Sequence, residues 1–197
     1  MATKAATAGG SASARERLLA AADELFYAEG VHTVGIDRVI EQAGVAKASL
    51  YNTFGSKDEL VRAYLESRHA RVAGRYASYL EQLPTPREKL LGVFEAQGEL
   101  FAEPGFQGCA FASATSEAHG TLVDEAADGH RAWVRELLTS LAREAGAPDP
   151  GLLGRQLHLV HDGASQSARM DHDPAVSAAA RAAAEALLDA ALARRPG

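Results

Sequence analysis

The sequence has one cysteine, Cys109, so no intrachain disulfide can form and nothing marks an oxidising compartment. It has no run approaching the roughly 18 uncharged apolar residues that a membrane-spanning helix needs. The first thirteen residues hold Ala, Thr, Gly and Ser with one Lys and no apolar core segment. That composition predicts a flexible arm over 1–13 rather than a signal peptide, and hence a cytoplasmic protein without membrane association. Positive charge is also scarce. Lys and Arg number 20 against 26 Asp and Glu, for a net charge of −6, and residues 1–70 carry eight basic against nine acidic groups. An acidic chain is not a general nucleic-acid binder that works by net charge, so any DNA-binding face must be positive locally. Sustained strand-like alternation is missing too.

What is present is helical periodicity and a composition 47% apolar, enough for a folded core in 197 residues. Leu18, Ala22, Leu25 and Phe26 form one stripe over 15–29, followed by Gly30. Ile36, Val39, Ile40 and Ala43 form a second, short stripe that ends at Gly44. A third short helix is expected over 47–54, with Leu50 and Phe54 on its inner face. Ser56 and Glu59 have capping-box spacing for a fourth helix running toward Leu80. Further helices are expected over 87–101, 109–118, 122–144, 152–170 and 174–194, separated by Pro- and Gly-containing breaks. The fold class is therefore all-α, with about nine helices.

Two short helices joined by a tight glycine turn, Gly44-Val45-Ala46, have the layout of a helix-turn-helix. The second helix is narrow enough to enter the major groove. Its outward residues are Lys47, Ala48, Ser49, Tyr51, Asn52 and Thr53, which are small or hydrogen-bonding. Asn52 has the chemistry to pair with adenine, and the Tyr51 hydroxyl the reach to meet a phosphate. Gly35 and Ala46 open the two short helices. Lys57 stands in the first turn of the fourth helix, where free N–H groups favour a phosphate.

The gap-free stretch 14–66 contains Ala43-Gly44-Val45, Leu50-Tyr51, Phe54 and Ser56-Lys57, and it resembles the N-terminal signature of the TetR family of regulators. The resemblance implies a three-helix DNA-binding domain (14–60) joined to a roughly six-helix ligand-sensing and dimerisation domain (61–197). It also implies a homodimer on double-stranded operator DNA, most often a repressor released by a small-molecule effector, with no cofactor. In similar proteins the positions of Tyr51 and Lys57 touch phosphate, and those of Lys47, Ser49, Asn52 and Thr53 face DNA. Two departures stand out. Gly35 replaces the usual Ser or Thr, and Asn52-Thr53 replaces a commoner aromatic or histidine pair, which leaves the base preference open.

Beyond that signature the chain offers candidates of lower specificity. Phe94, Phe101, Cys109, Phe111, Trp133, His158 and His161 are expected to line an effector cavity between helices. His158, His161 and Asp162 share a helical face, but no further ligands have recognisable spacing, so no metal is expected. Leu153, Leu157, Val160 and Ala164 form one narrow stripe, and Val176, Ala180, Ala183, Leu187 and Ala191 another. Both are expected to build the dimer interface. The rival reading is a helical small-molecule-binding protein or enzyme without DNA-binding function. An enzyme would need more than Cys109 and a histidine at unsupported spacing.

Overall fold

The computed structural model describes residues 12–117 and 121–193. The arm expected over 1–13 falls outside these except for Ala12 and Ser13, and His119 and Arg194 lie outside them as well. Ser13 starts the first helix. Its hydroxyl accepts the Glu16 N–H at 3.2 Å, and the Glu16 carboxylate accepts the Ser13 N–H at 2.7 Å. This reciprocal pair satisfies donors that the helix itself leaves open. Nine α-helices and no strand follow among the described residues: α1 (Ala14–Glu29), α2 (Ile36–Ala43), α3 (Lys47–Phe54), α4 (Lys57–Glu81), α5 (Pro86–Phe101), α6 (Ala110–Glu117), α7 (Thr121–Glu144), α8 (Pro150–Asp171) and α9 (Val176–Ala193). None of them is long and apolar enough to cross a membrane.

Two differences from the sequence expectation have local causes. Ser56 caps α4 by accepting the Glu59 N–H at 3.1 Å, but the return bond is absent because Arg62 draws the Glu59 carboxylate away at 2.9 Å. The last helix starts at Val176, two residues after Pro174. There the Asp173 carboxylate accepts the Ala175 N–H at 2.8 Å and forms a turn first.

Two apolar cores divide the molecule. One joins Leu18, Leu25 and Phe26 of α1 and Leu50 of α3 to Leu60, Tyr64 and Leu65 of α4. It continues into Phe111 and Ala114 of α6 and Val123 and Ala127 of α7. The second contains Tyr76 and Leu80 of α4, Leu90 and Phe94 of α5, Leu138 of α7, Leu157 of α8 and Leu188 of α9. α4 and α7 thus contribute to both cores, and α6 packs on α7 and α4 within the core shared with the N-terminal three helices. A clamp fixes α1 on α4. Arg68 meets Asp23 at 2.5 and 3.1 Å while its guanidinium lies 3.6 Å from the Tyr27 ring centroid, and Arg71 reaches Asp23 at 2.9 Å. Half-buried, bidentate and stacked, the Arg68 pair holds orientation better than a fully exposed ion pair would.

Gly154 marks the closest approach of α7 and α8, since any Cβ there would fall on the Thr139 side chain and within 3.0 Å of its Cα. At this position the small residue of α8 therefore serves packing inside one protomer.

Candidate nucleic-acid interface and ligand cavity

The turn between α2 and α3 is set by Gly44, in the left-handed region at φ 60 and ψ 42. Its N–H donates to the Glu41 carbonyl at 3.1 Å, and the Val45 N–H donates to Ile40 at 3.3 Å. These paired bonds close a Schellman turn, a conformation that glycine enters at least cost. α3 then buries Leu50 completely, and the Arg15 guanidinium stands 5.6 Å from the half-buried Phe54 ring. Burying one leucine contributes about 1.5–3 kcal/mol, enough to fix which side of so short a helix faces inward.

The opposite side of α3 is left in solvent. Gly35, Ala46, Lys47, Ala48, Tyr51, Asn52 and Thr53 are exposed, and Ser49 and Lys57 are half-buried. Tyr51, at 45% exposure, is a large aromatic with no place in the core. Two of these side chains have partners inside the protein. Lys47 Nζ contacts Asp37 Oδ1 at 2.9 Å, and the Thr53 hydroxyl donates to the Ser49 carbonyl at 2.6 Å. Lys57 makes no ion pair among the described residues, and it sits at the first position of α4, where backbone donors are free.

A cavity of about 670 Å³, counting its mouth, lies between α1, α4, α5, α6, α7 and α8. Phe101, Cys109, Phe111 and His161 border it. His158 borders an adjoining space that shares Cys109, Phe111 and His161. Phe94 and Trp133 border neither. Phe94 is fully buried in the C-terminal core, and Trp133 packs behind the wall on His69, Tyr76 and His130 at 5.1, 5.9 and 5.8 Å. The sequence reading missed Tyr27, Arg68, Tyr76, Gln97 and Ser165 among the lining. Only Gln97 left a legible sign, a polar residue inside the stripe Leu90, Phe94, Gln97, Phe101.

The histidines are held in unusual surroundings. His130 is stacked on Phe111 at 3.8 Å with the rings 4° apart, and its Nδ1 is 3.1 Å from that of His69. Burial, with the His69 ring next in weight, pushes its pKa from 6.5 down to about 3. Burial lowers His158 as well and makes the Cys109 thiol harder to ionise. Burial works against the Asp162 carboxylate, yet His161, His158 and Arg131 together hold its pKa below the usual range. Of these, only Arg131 is at hydrogen-bond distance, 2.8 Å. Among the described residues no group of three or more His, Cys, Asp or Glu is placed to hold a metal.

His130 gives a pH prediction. The unfolded chain takes up a proton there near pH 6.5, while the folded one resists until about pH 3. Folding stability is therefore complete above pH 6.5 and falls as the pH drops through that window, by up to about 1.4 kcal/mol per unit from this residue. Urea unfolding between pH 6.5 and 4.5 should show a steeper loss for the wild type than for His130→Phe. Equal slopes would show that His130 is not the group responsible.

The two stripes expected to build a dimer interface lie mostly inward. Leu153, Leu157, Ala164 and Ala180 are at most 7% exposed and pack into the protomer's own core. Val160, Val176, Leu187 and Ala191 lie half-buried against that core, and of the nine only Ala183 is exposed. The outward apolar residues of these helices are Leu152, Leu159, Met170 and Leu192, with Ala179, Ala183, Ala186 and Ala190 in a row on α9. In α8 the inward and outward stripes differ by one residue, about 100° around the helix.

A recognition-type helix braced by two others, set on a helical body with an internal cavity, defines the class of helix-turn-helix transcriptional regulators. The family model for "Bacterial regulatory proteins, tetR family" matches residues 18–64. A TetR-family transcriptional regulator from Streptomyces coelicolor, known from its crystal structure, is 34% identical with a TM-score of 0.84, over 90% of this chain and 95% of that one. A putative regulator of the same type from Streptomyces avermitilis is 37% identical with a TM-score of 0.82, over 91% and 98%. The chain belongs to the TetR family of transcriptional regulators. The transcriptional repressor KstR2 of Mycolicibacterium smegmatis is 34% identical over 88 residues, 45% of this chain and 43% of that protein. The transcriptional activator FasR of the same organism is 35% identical over 82 residues, 42% and 37%. The matched region thus spans less than half the length of these curated relatives.

Proposed function

We propose that the protein is a homodimeric repressor that binds a near-palindromic operator in the cytoplasm and is released by a small molecule held in the cavity. The observation that carries this reading is the outward face of α3, where Tyr51, Asn52 and Thr53 stand exposed between Lys47 and Lys57. One three-helix head makes few contacts, and a two-fold dimer would place two recognition helices about 34–36 Å apart in successive major grooves. The exposed Leu152, Leu159 and Met170 of α8, with the alanine row of α9, supply the apolar face for that dimer. A gel shift on the promoter region beside its own gene, with light scattering of the same sample, tests the reading. Monomer alone, with and without DNA, would sink it.

Contacts on α3 and α4 should divide by role. Lys57→Ala is expected to weaken binding on every sequence alike and to reduce the salt slope by about one unit. Asn52→Ala should relax preference at one base pair, by about 1–3 kcal/mol for a bidentate contact. Anisotropy titrations over several salt concentrations and site variants check both. A uniform loss from Asn52→Ala would remove it from base reading.

Two contacts connect the cavity wall to the DNA-binding head. The Tyr27 hydroxyl on α1 accepts the Gln107 N–H at 2.9 Å and donates to the Gly108 carbonyl at 3.0 Å. At the far end of α6, Glu117 accepts the His32 N–H at 3.3 Å and lies against Gly30. A ligand that displaces Cys109 or Phe111 would move α6 and, through it, the turn between α1 and α2, in addition to tilting α4. For release, the ligand must bind the DNA-free arrangement more tightly, with a coupling of about 1–3 kcal/mol.

A further inference from the structure

Gln97 is the polar member of α5's inward face, 1% exposed. Its Nε2 donates to the His161 main-chain carbonyl and to Ser165 Oγ, each at 2.9 Å. A main-chain carbonyl only accepts, so the amide is fixed in this orientation and cannot be reversed. Its Oε1 has no hydrogen-bond partner among the described residues. His161, 7% exposed, is in a similar position. Its Nε2 is 3.0 Å from the Tyr76 hydroxyl, but its Nδ1 is unpartnered, with Asp162 too distant at 3.7 Å. Both side chains border the cavity. Buried acceptors are rarely left unpaired, and Gln97 Oε1 lacks a donor whichever nitrogen of His161 holds the proton.

The remaining lining sets the rest of the ligand. Leu100, Phe101, Phe106 and Phe111 give it an apolar and largely aromatic body. The cations that border it, Arg68 and Arg71, are both paired with Asp23, and the bordering Glu103 is paired with Arg75. A carboxylate ligand would have to break one of these pairs, and a cationic ligand would find no unpaired acid among them.

We propose that this cavity takes a neutral aromatic ligand bearing a hydroxyl group, whose O–H donates to Gln97 Oε1. The assignment builds on the effector-site reading above. His130, kept neutral down to low pH by its burial, agrees with an uncharged occupant. A hydroxyl is also the smallest group that can donate to Gln97 and accept from a neighbour at once.

The test is calorimetry on the full chain with 2-naphthol, 2-methoxynaphthalene and 2-naphthoate at neutral pH. The methyl ether keeps the ring and oxygen but removes the donor, and the naphthoate adds a negative charge. In the wild type 2-naphthol should bind about tenfold or more tightly than the ether, with naphthoate weakest, because only the alcohol fills the unpaired acceptor. In Gln97→Met, which keeps chain length without an acceptor, alcohol and ether should come within about threefold of each other. Should that variant not fold, the Gln97 side-chain amide resonances of the wild type serve instead, shifting with 2-naphthol and not with the ether. Equal affinity for alcohol and ether, tightest binding of naphthoate, or no binding of any of the three overturns the proposal. Operator affinity is measured on the same samples. Preferential 2-naphthol binding that leaves it unchanged overturns the effector role and supports the ligand chemistry, whereas release by naphthoate alone does the reverse.

Discussion

Leu159→Glu is expected to convert the protein to a monomer at micromolar concentration and to weaken operator binding about 100-fold or more, through the burial cost of two charges. Leu159 is 72% exposed in the protomer, so an acidic side chain there disturbs nothing within one chain. Substitutions at such positions usually change protomer stability by no more than about 0.5 kcal/mol. In a two-fold dimer built on this face the new carboxylate is buried, and symmetry buries it twice. Each unpaired ion costs several kcal/mol, more than a modest helix-pair interface returns. Light scattering and operator titration should therefore change together while the far-ultraviolet circular dichroism stays that of the wild type. Leu157→Glu, two residues away but fully buried, is the contrasting case and should unfold the body itself. A Leu159→Glu protein that remains dimeric and binds operator normally would move the interface elsewhere.

Phe94→Ala should destabilise the fold by about 3–5 kcal/mol, the usual result of deleting a buried aromatic ring whose surroundings relax only in part. Phe94 is completely buried between α5 and its neighbours, with the His161 ring 6.5 Å away. A cavity-lining phenylalanine would behave differently, because its ring already faces empty space. Phe101, which borders the cavity and packs on Phe106 at 5.1 Å, gives that comparison, and Phe101→Ala should cost less. Urea unfolding at equal protein concentration measures both, since the proposed dimerisation would make apparent stability depend on concentration. A loss below about 1 kcal/mol for Phe94→Ala would mean the ring contributes little to the core.

The DNA-binding head was legible in the sequence because its determinants are local. Gly44 sets a turn through its own backbone, Leu50 and Phe54 lie one helical turn apart, and helix geometry alone puts Asn52 opposite them with Tyr51 to one side. The same locality made the helix count and most helix ends readable, since caps and breakers act within a few residues. The reciprocal half of the Ser56 cap was not readable, because Arg62 competes for Glu59 from the next turn. The cavity was only partly legible for a related reason. Phe101, Cys109, Phe111 and His161 border it, but so do Tyr27, Arg68 and Gln97, brought in from helices far apart in the chain.

The sequence by itself determined the all-α class, the helix-turn-helix and the side of α3 that faces solvent, because each follows from spacing along one stretch of chain. Tertiary structure alone decided which face of α8 is free. Leu152 and Leu153 have the same chemistry, and only the packing of α7 and α9 against α8 buries the second and leaves the first at 43% exposure. It decided as well that Gln97 would keep an unpaired oxygen, since that depends on where His161 and Ser165 come to rest 64 and 68 residues later. Periodicity tells which residues share a face of a helix, but which neighbour covers that face is settled by contacts between segments distant in sequence.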